Sequence, residues 1–221
     1  MTSTPGSAGR TAATTPPPSE RPSRATRFSR AERWVHRTTA GLVLLCVATA
    51  ACLYVPVFAE LVGRRYVLVT VHEWAGLLLP VPFLLGLASR AFRADLRRLN
   101  RFGDHDRQWL RAVLHRRSTP EERPAGKFNA GQKVYAAWIA GAVLVMLGTG
   151  LLMWFTHLAP LVWRTGATFV HDWLALTIGI VIFGHIRMAL ADPEARRGMR
   201  TGSVERPWAR RQHPLWDPDE E

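Results

Sequence analysis

Four long stretches of the chain contain no lysine or arginine, and they constrain its fold more than any other feature. They cover residues 38–58, 66–89, 134–163 and 165–186. Their only acidic residues are Glu73 and Asp172. A helix needs about 20 apolar residues to cross the roughly 30 Å hydrocarbon core of a bilayer, and each stretch is long enough. The sequence therefore predicts an all-α integral membrane protein with a bundle of four transmembrane helices, and it excludes a soluble globular enzyme.

The basic residues are concentrated in alternate segments of the chain. Of the 29 basic residues, 7 lie between the start and Arg37, 12 between Arg90 and Lys133, and 7 from Arg187 onward. The two segments between these regions hold only 2 and 1. Because segments rich in lysine and arginine stay in the cytoplasm, we expect both termini and the middle loop to be cytoplasmic, in the inner (plasma) membrane of the cell. The basic residues that give the net charge of +12 are then expected to contact anionic membrane lipid. No nucleic acid partner is expected.

The predicted organisation has three parts. Residues 1–26 are rich in Ser, Thr, Pro, Gly and Ala, without apolar periodicity, and are predicted to be disordered. Residues 27–191 form the transmembrane domain, and residues 192–221 form a cytoplasmic tail. The helices are expected at about residues 34–58, 66–90, 133–155 and 169–190. The cytoplasmic loop 91–132 contains a basic, partly amphipathic stretch, which either lies along the membrane surface or forms a solvated helix.

Four of the eight histidines belong to the predicted spans, where an ionisable residue usually marks a function. His171 and His185 are fourteen residues apart on the fourth helix, which corresponds to about 21 Å of rise and to nearly the same face. His72 lies near the outer end of the second helix, and His36 lies near the inner end of the first. These positions predict two pairs, with His72 facing His171 on the outer side and His36 facing His185 on the inner side.

Two neutral imidazoles facing each other across a bundle suit a six-coordinate haem iron, whose other four ligands belong to the porphyrin. A zinc site needs three or four ligands close together, which two pairs at two depths do not supply. For any one histidine alone, a buried side chain with an ordinary hydrogen-bond partner is the better interpretation. Gly86, fourteen residues after His72, fits either the approach of a macrocycle or close helix packing. Together, the four histidines favour two haem b groups stacked across the membrane as an electron route.

Several short segments of the chain match a known family. They are Phe28–Arg37 (FSRAERWVHR), Val71–Gly76 (VHEWAG), Lys127–Lys133 (KFNAGQK), the spaced pair His171 and His185, and His213–Trp216 (HPLW). With these segments the chain resembles the gamma, cytochrome b subunit of membrane-bound formate dehydrogenase, within the wider group of four-helix dihaem cytochromes b. The resemblance covers about residues 28–216, and KFNAGQK is its most specific segment.

The resemblance implies an electron route and a set of partners. A molybdopterin catalytic subunit oxidises formate, an iron-sulfur subunit passes the electrons to the outer haem, and the inner haem delivers them to a membrane quinone, with menaquinone expected. This chain supplies no catalytic residue for formate oxidation. In the family the quinone headgroup lies beside the inner haem, near the residue matching His185. The headgroup contacts the residues that match Asn129, Gly131 and Gln132. Considered by residue type alone, these three residues instead favour a cap and turn before the third helix.

Two alternatives remain open at this point. The histidine pattern also fits the related dihaem cytochromes b of hydrogenases and of sulfur-compound reductases, and a neighbouring gene for a formate-type molybdopterin subunit would distinguish these partners. An alternative of another class is a haem-free membrane anchor or transporter whose histidines bind protons or a metal. A visible absorption spectrum of the purified protein separates this class from the cytochromes.

Overall fold

The computed structural model describes residues 23–117, 119, 122–157 and 159–219, and this part of the chain is mostly helical. In chain order the elements are β1 (Arg24–Thr26), α1 (Arg30–Tyr54), α2 (Pro56–Val62), α3 (Arg65–Leu78), α4 (Pro80–Gly86), α5 (Arg90–Leu99), α6 (Asp104–Leu114), α7 (Ala130–Trp154), α8 (Leu161–Ala191), α9 (Pro193–Thr201), β2 (Ser203–Glu205) and α10 (Arg206–Gln212). Four units are long and apolar enough to cross a membrane, namely α1, α3 with α4, α7 and α8. The prediction of four apolar helices long enough to cross a membrane is confirmed for the described part of the chain.

Capping residues explain why two of the spans begin earlier than expected. The Ser29 hydroxyl accepts a hydrogen bond from the Glu32 amide at 3.3 Å, and the Glu32 carboxylate accepts one from the Ser29 amide. This reciprocal cap starts α1 at Arg30 rather than near residue 34. A similar cap at Asn129 starts α7 at Ala130 rather than at 133. Apolar stretches locate a span, but polar capping residues determine where its helix begins.

Proline explains the ends of α1 and the break in the second span. The first helix ends at Tyr54 rather than at residue 58, because Pro56 disfavours helical geometry at the residue before it and opens the short helix α2. The second span is interrupted at Leu79, and Pro80 takes the first position of α4. Pro80 thus divides the second span into two helices. The fourth span is longer than expected, since α8 already begins at Leu161 rather than near 169.

The spans pack as two antiparallel pairs, α1 with α3 and α7 with α8, and α3 also contacts α7. Only 6% to 11% of the residues in their most apolar windows are buried within the protein. Large apolar side chains therefore cover the outside of the bundle, as expected for helices that contact lipid. A compact hydrophobic cluster lies outside the spans and consists of Val204, Trp208, Ala209 and Trp216.

The start and the tail of the described chain meet at one end of the bundle. Strand β1 pairs antiparallel with β2, with Ala25 opposite Val204, and the amides of Arg27 and Phe28 donate to the carbonyl of Gly202. Residues 1–22 of the segment predicted to be disordered lie outside the described residues. Residues 24–26 of that segment form β1, which is paired with a strand from a distant part of the chain. The polar tail likewise folds as α9, β2 and α10.

The long loop between the second and third spans folds as two helices, α5 and α6, at this same end. Buried ion pairs hold them against the neighbouring elements: Lys127 with Asp95 at 2.9 Å, and Lys133 with Asp106 at 2.7 Å. Asp95 is only 4% exposed and Asp106 only 1%. Asp95 and Asp106 therefore face the protein, whereas most arginines of α5 and α6 are exposed.

Candidate haem and quinone sites

The outer histidine pair consists of His72 on α3 and His171 on α8. Their ring centroids are 6.2 Å apart and their planes are inclined by 65°. Two metal–nitrogen bonds of about 2.0 Å, with about 1.2 Å from each nitrogen to its ring centroid, give a centroid separation of about 6.4 Å. The gap between the two rings therefore has the size that one metal ion bound by both imidazoles requires.

The inner pair consists of His36 on α1 and His185 on α8, with ring centroids 6.4 Å apart and planes inclined by 49°. This gap has the same size as the outer one. The Tyr135 ring of α7 stacks on His185 at 5.0 Å, with an angle of only 8° between the planes. Because the stacking covers one face of the imidazole, it restricts rotation of the His185 ring. The structure thus brings together both pairs expected from the sequence, one at each depth of the bundle.

A threonine hydroxyl contacts each ring of the outer pair. The Oγ1 of Thr49 lies 2.9 Å from Nδ1 of His72, and the Oγ1 of Thr149 lies 2.9 Å from Nδ1 of His171. Each hydroxyl also lies 2.8 Å from the carbonyl four residues earlier in its own helix, which accepts the hydroxyl proton. Each threonine oxygen therefore accepts a hydrogen bond from an Nδ1–H. This fixes the neutral tautomer in which Nε2 carries the lone pair that binds a metal.

These two threonines were not identified from the sequence. In the sequence they are marked only by a hydroxyl group within an apolar span, and several other threonines have the same property. Pairing Thr49 with His72, or Thr149 with His171, requires the relative rotation of two helices. That rotation depends on packing across the bundle, which the periodicity of a single segment does not specify.

The glycines near the pairs have different surroundings. A Cβ on Gly86 would lie 2.7 Å from Cγ2 of Val35 and 3.0 Å from the Phe92 ring, so this glycine allows close packing of helices. Gly76 and Gly184 have no described atom within 4 Å of their Cβ positions, and each is close in sequence to a paired histidine. They leave open space of the kind that a flat macrocycle requires, whereas at Gly86 the close-packing interpretation is correct.

The expected quinone residues form the N-terminal cap of α7. The Gln132 amide N–H donates to Oδ1 of Asn129 at 2.9 Å, and the Asn129 amide N–H donates to Oε1 of Gln132 at 3.0 Å. Both cap bonds use side-chain oxygens, so neither side-chain NH₂ group takes part in the cap. A Cβ on Gly131 would lie 2.9 Å from the Trp109 ring, so this position allows α6 to pack closely against α7. The cap interpretation of these residues is confirmed, and the two amide donors are still available to another acceptor.

Buried Arg27 joins three segments that carry the family resemblance. Its Nη2 donates to the carbonyl of Lys127 at 2.8 Å and to Nε2 of His213 at 2.9 Å, while Nδ1 of His213 donates to the carbonyl of Gly126 at 2.7 Å. Burial, together with the charge of Arg27, lowers the pKa of His213 to about 3. The neutral imidazole therefore holds the KFNAGQK segment against the tail. This role of His213 was not predicted, because it depends on contacts between residues far apart in the chain.

Among the described residues, no group of three or more His, Cys, Asp or Glu side chains is placed to hold a metal ion by itself. The two imidazole pairs accordingly suit a metal whose remaining ligands come with its own macrocycle. Haem b is such a group, since its porphyrin fills four positions around the iron.

Comparison with known proteins gives one consistent result. The family model for prokaryotic cytochrome b561 matches residues 27–202, a range that contains both histidine pairs. The chain is 27% identical over 197 residues to the formate dehydrogenase cytochrome b556 subunit of Haemophilus influenzae, covering 82% of this chain and 80% of the relative. It is 27% identical over 198 residues to the formate dehydrogenase cytochrome b556(fdo) subunit of Escherichia coli, covering 86% and 90%.

A shorter match covers half of the chain. It is 30% identical over 116 residues to the nitrate-inducible formate dehydrogenase cytochrome b556(Fdn) subunit of Escherichia coli, covering 50% of this chain and 54% of the relative. The resemblance expected from the sequence segments is thereby confirmed, and a cytochrome b family implies haem b as cofactor. Since the family model spans most of the chain and includes both histidine pairs, this protein belongs to the prokaryotic cytochrome b561 family.

Proposed function

We propose that this protein is the membrane cytochrome b subunit of a formate dehydrogenase complex, and that it transfers electrons through two b haems to membrane quinone. The observation that carries the proposal is the presence of two histidine pairs, each with a gap of the size of one bound metal ion, at two depths of one bundle. The relatives named as formate dehydrogenase subunits support the choice of complex.

In this proposal His72 and His171 are the axial ligands of the outer haem, and His36 and His185 those of the inner haem. A haem iron held in this way gains and loses one electron at a time. The protein keeps the imidazoles neutral and oriented: Thr49 and Thr149 accept the Nδ1–H bonds of the outer pair, and Tyr135 stacks on His185.

The proposed orientation puts the end with β1 and β2 in the cytoplasm. The basic arginines of α5, α9 and α10 lie at this end, whereas the opposite loops carry only Arg64, Arg65 and Arg164. The inner pair is then nearer the cytoplasm. Proton uptake by quinone on this side, with substrate oxidised on the other, would contribute to the proton motive force.

The iron-sulfur and molybdopterin subunits are proposed to dock at the outer end, near His72 and His171. Large aromatic side chains are exposed on this half of α8, including Trp163 at 68% and Trp173 at 59%. Aromatic residues are enriched both at membrane–water interfaces and at protein contacts. Electrons would enter through this end because the outer pair is the nearer one to it.

The quinone is proposed to bind at the start of α7, beside the inner pair, with menaquinone as the expected type. The side-chain NH₂ groups of Asn129 and Gln132 supply donors for a quinone oxygen, while their oxygens maintain the cap. Replacing Asn129 with Ala removes one donor and one cap bond, each worth roughly 1 kcal/mol. If the residue contacts quinone, the variant keeps its haem and its reduced haem is reoxidised more slowly by a quinone analogue.

The deciding experiment is a haem analysis of the purified protein and of four histidine variants. We expect two low-spin haem b groups per chain. His72→Ala and His171→Ala should lose the same spectral component, and His36→Ala and His185→Ala the other. A ratio near one haem per chain, or loss of the same component in the His72 and His185 variants, would contradict the proposed pairing. An absence of haem would favour the anchor or transporter alternative.

The partner is tested separately from the haem. Purification of the tagged chain from its own membranes should recover a molybdopterin subunit and an iron-sulfur subunit, together with formate-dependent reduction of its haem. Recovery of a hydrogenase or a sulfur-compound reductase in their place would assign the same cytochrome to a different complex.

A further inference from the structure

Two acidic side chains and one lysine are buried together at the end of the bundle that we assign to the cytoplasm. Glu32 of α1 is 8% exposed, Asp95 of α5 is 4% exposed, and Lys127 of the KFNAGQK segment is 8% exposed. The Oδ1 of Asp95 accepts hydrogen bonds from Nζ of Lys127 at 2.9 Å and from Nη1 of Arg98 at 2.7 Å. The Oε2 of Glu32 accepts a hydrogen bond from the Ser29 amide in the helix cap.

The side chains of Glu32 and Asp95 are in hydrogen-bonding contact with each other. Two ionised carboxylates offer only acceptors, and like charges so close do not both remain ionised. Within the described residues, Oε1 of Glu32 and Oδ2 of Asp95 are buried and have no donor. One proton shared between the two groups supplies the missing donor and removes the repulsion.

The surroundings decide which group carries this proton. Burial alone would raise the pKa of Asp95, but the hydrogen bonds with Glu32 and Lys127, together with the charge of Lys127, lower it below its ordinary value. Lys127 and Arg98 both donate to Asp95, so two cations stabilise its ionised form and Asp95 is the ionised member of the pair. The proton belongs to Glu32, whose O–H donates to the Asp95 carboxylate.

The location of this pair connects it with both proposed redox sites. Glu32 lies one helical turn before His36, a member of the inner histidine pair. Lys127, which holds Asp95, is two residues before Asn129 in the segment proposed to bind quinone. A proton held on Glu32 thus lies at the same end of the bundle as the site where a quinone would be reduced.

We propose that the Glu32–Asp95 pair holds and delivers the protons that quinone takes up at the cytoplasmic end. This role rests on the proposed function. Reduction of one quinone to quinol consumes two electrons, derived from formate through the partner subunits, and two protons. In each delivery the O–H bond of Glu32 breaks and an O–H bond to a quinone oxygen forms, directly or through water. Glu32 then regains a proton from cytoplasmic water, so two deliveries complete one quinol.

The cations beside the pair make this cycle possible. After Glu32 has released its proton, two adjacent carboxylates carry two negative charges in a buried position. Lys127 and Arg98 offset those charges until a new proton arrives.

The test is the substitution Glu32→Gln in the full-length, haem-loaded protein. Glutamine is also accepted at this cap position, and its NH₂ group can donate to Asp95, but it has no proton to transfer. Infrared spectroscopy should detect the C=O band of a protonated carboxylic acid in the wild type, and this band should shift on glutamate-specific ¹³C labelling. In E32Q the band should be missing, while haem content and visible spectrum stay unchanged.

In the same variant, oxidation of reduced haem by a water-soluble menaquinone analogue should slow by about 100-fold, the lower range for loss of a proton donor. Glu122→Gln is the matched control, because Glu122 caps a turn with Thr119 in an exposed position. This control should retain both the infrared band and the rate.

Persistence of the labelled acid band in E32Q would overturn the shared proton. Loss of the band with a wild-type rate of haem oxidation would overturn the role as proton donor. If E32Q does not retain haem, the labelled band of the wild type decides, since its absence at neutral pH rejects a protonated Glu32. A failure of the proposed function gives a different result from a failure of this inference. If the wild type passes no electrons to the quinone analogue, the proposed function fails, whereas the infrared band can still be present.

Discussion

Replacing Thr49 with Val tests whether the threonine controls the electronic properties of the outer site. The change is nearly isosteric, and it removes the acceptor that lies 2.9 Å from Nδ1 of His72. An imidazole whose N–H donates a hydrogen bond is a stronger electron donor to a metal, which favours the oxidised metal. We therefore expect the midpoint potential of the outer haem to rise in Thr49→Val, while that of the inner haem stays the same.

The hydrogen bond limits the size of this shift. A neutral hydrogen bond contributes roughly 0.5–1.5 kcal/mol, and about 1.4 kcal/mol corresponds to about 59 mV for one electron. The expected rise is therefore about 20–60 mV, with the upper value applying if the bond exists only beside the oxidised iron.

The assay is a potentiometric titration followed in the visible spectrum, in which the two proposed haems should titrate as separate steps. Thr149→Val should shift the same step, because its hydroxyl contacts the other ring of the outer pair. Thr177→Val is the matched control, because its hydroxyl donates to the carbonyl of Trp173 within its own helix. A shift confined to the inner haem, or no shift in either outer variant, would refute the reasoning.

Three further predictions concern the fold and the topology. Burial and Arg27 lower the pKa of His213 to about 3, so its contribution to stability is fully present above about pH 6.5. Below that pH the free energy of unfolding decreases by about 1.4 kcal/mol per pH unit, until the pH reaches about 3. The melting temperature of His213→Gln should therefore fall less between pH 7 and 5 than that of the wild type. Gly202 has a φ of +96°, and a Cβ at this position would lie 2.7 Å from the Phe28 carbonyl oxygen. Gly202→Ala should therefore destabilise the protein by about 1–3 kcal/mol in denaturant unfolding. Gly126→Ala is the control and should leave the stability unchanged, because no described atom lies within 4 Å of its Cβ position. Reporter fusions in the two loops poor in basic residues should be active outside and a fusion at residue 110 inside; the reverse pattern would exchange the proposed inner and outer sites.

The features that could be predicted from the sequence depend on local geometry. The number of spans follows from the length of each apolar stretch, and the two depths of His171 and His185 follow from the rise of one continuous helix. The pairing of these two histidines with His36 and His72 follows from the direction in which each span crosses the membrane. The bundle leaves few other partners for residues at these depths, so the predicted pairs and the observed contacts agree.

The features that were missed depend on contacts between distant residues. β1 exists because residues 203–205 provide its partner strand, and Arg27 is buried because His213 and the aromatic residues of the tail enclose it. The ends of α1 differ from those expected from hydropathy, because a polar cap at Ser29 and the proline at position 56 determine them. The cap formed by Asn129 and Gln132 was recognised from residue types, since its two partners are only three residues apart.

Because α8 supplies one histidine to each pair, a single rigid rod sets the spacing of the two sites. His171 and His185 move together when α8 moves, so bending of the loops does not change the distance between them. Inserting one residue between them would raise one ring by about 1.5 Å and rotate it by about 100° relative to the other, which turns it away from its partner. The length of this helical segment can therefore change only by nearly whole turns, and any such change requires matching shifts of His36 on α1 or His72 on α3. The distance between the two candidate sites is thus a property of one helix, while the partners on α1 and α3 complete each site separately.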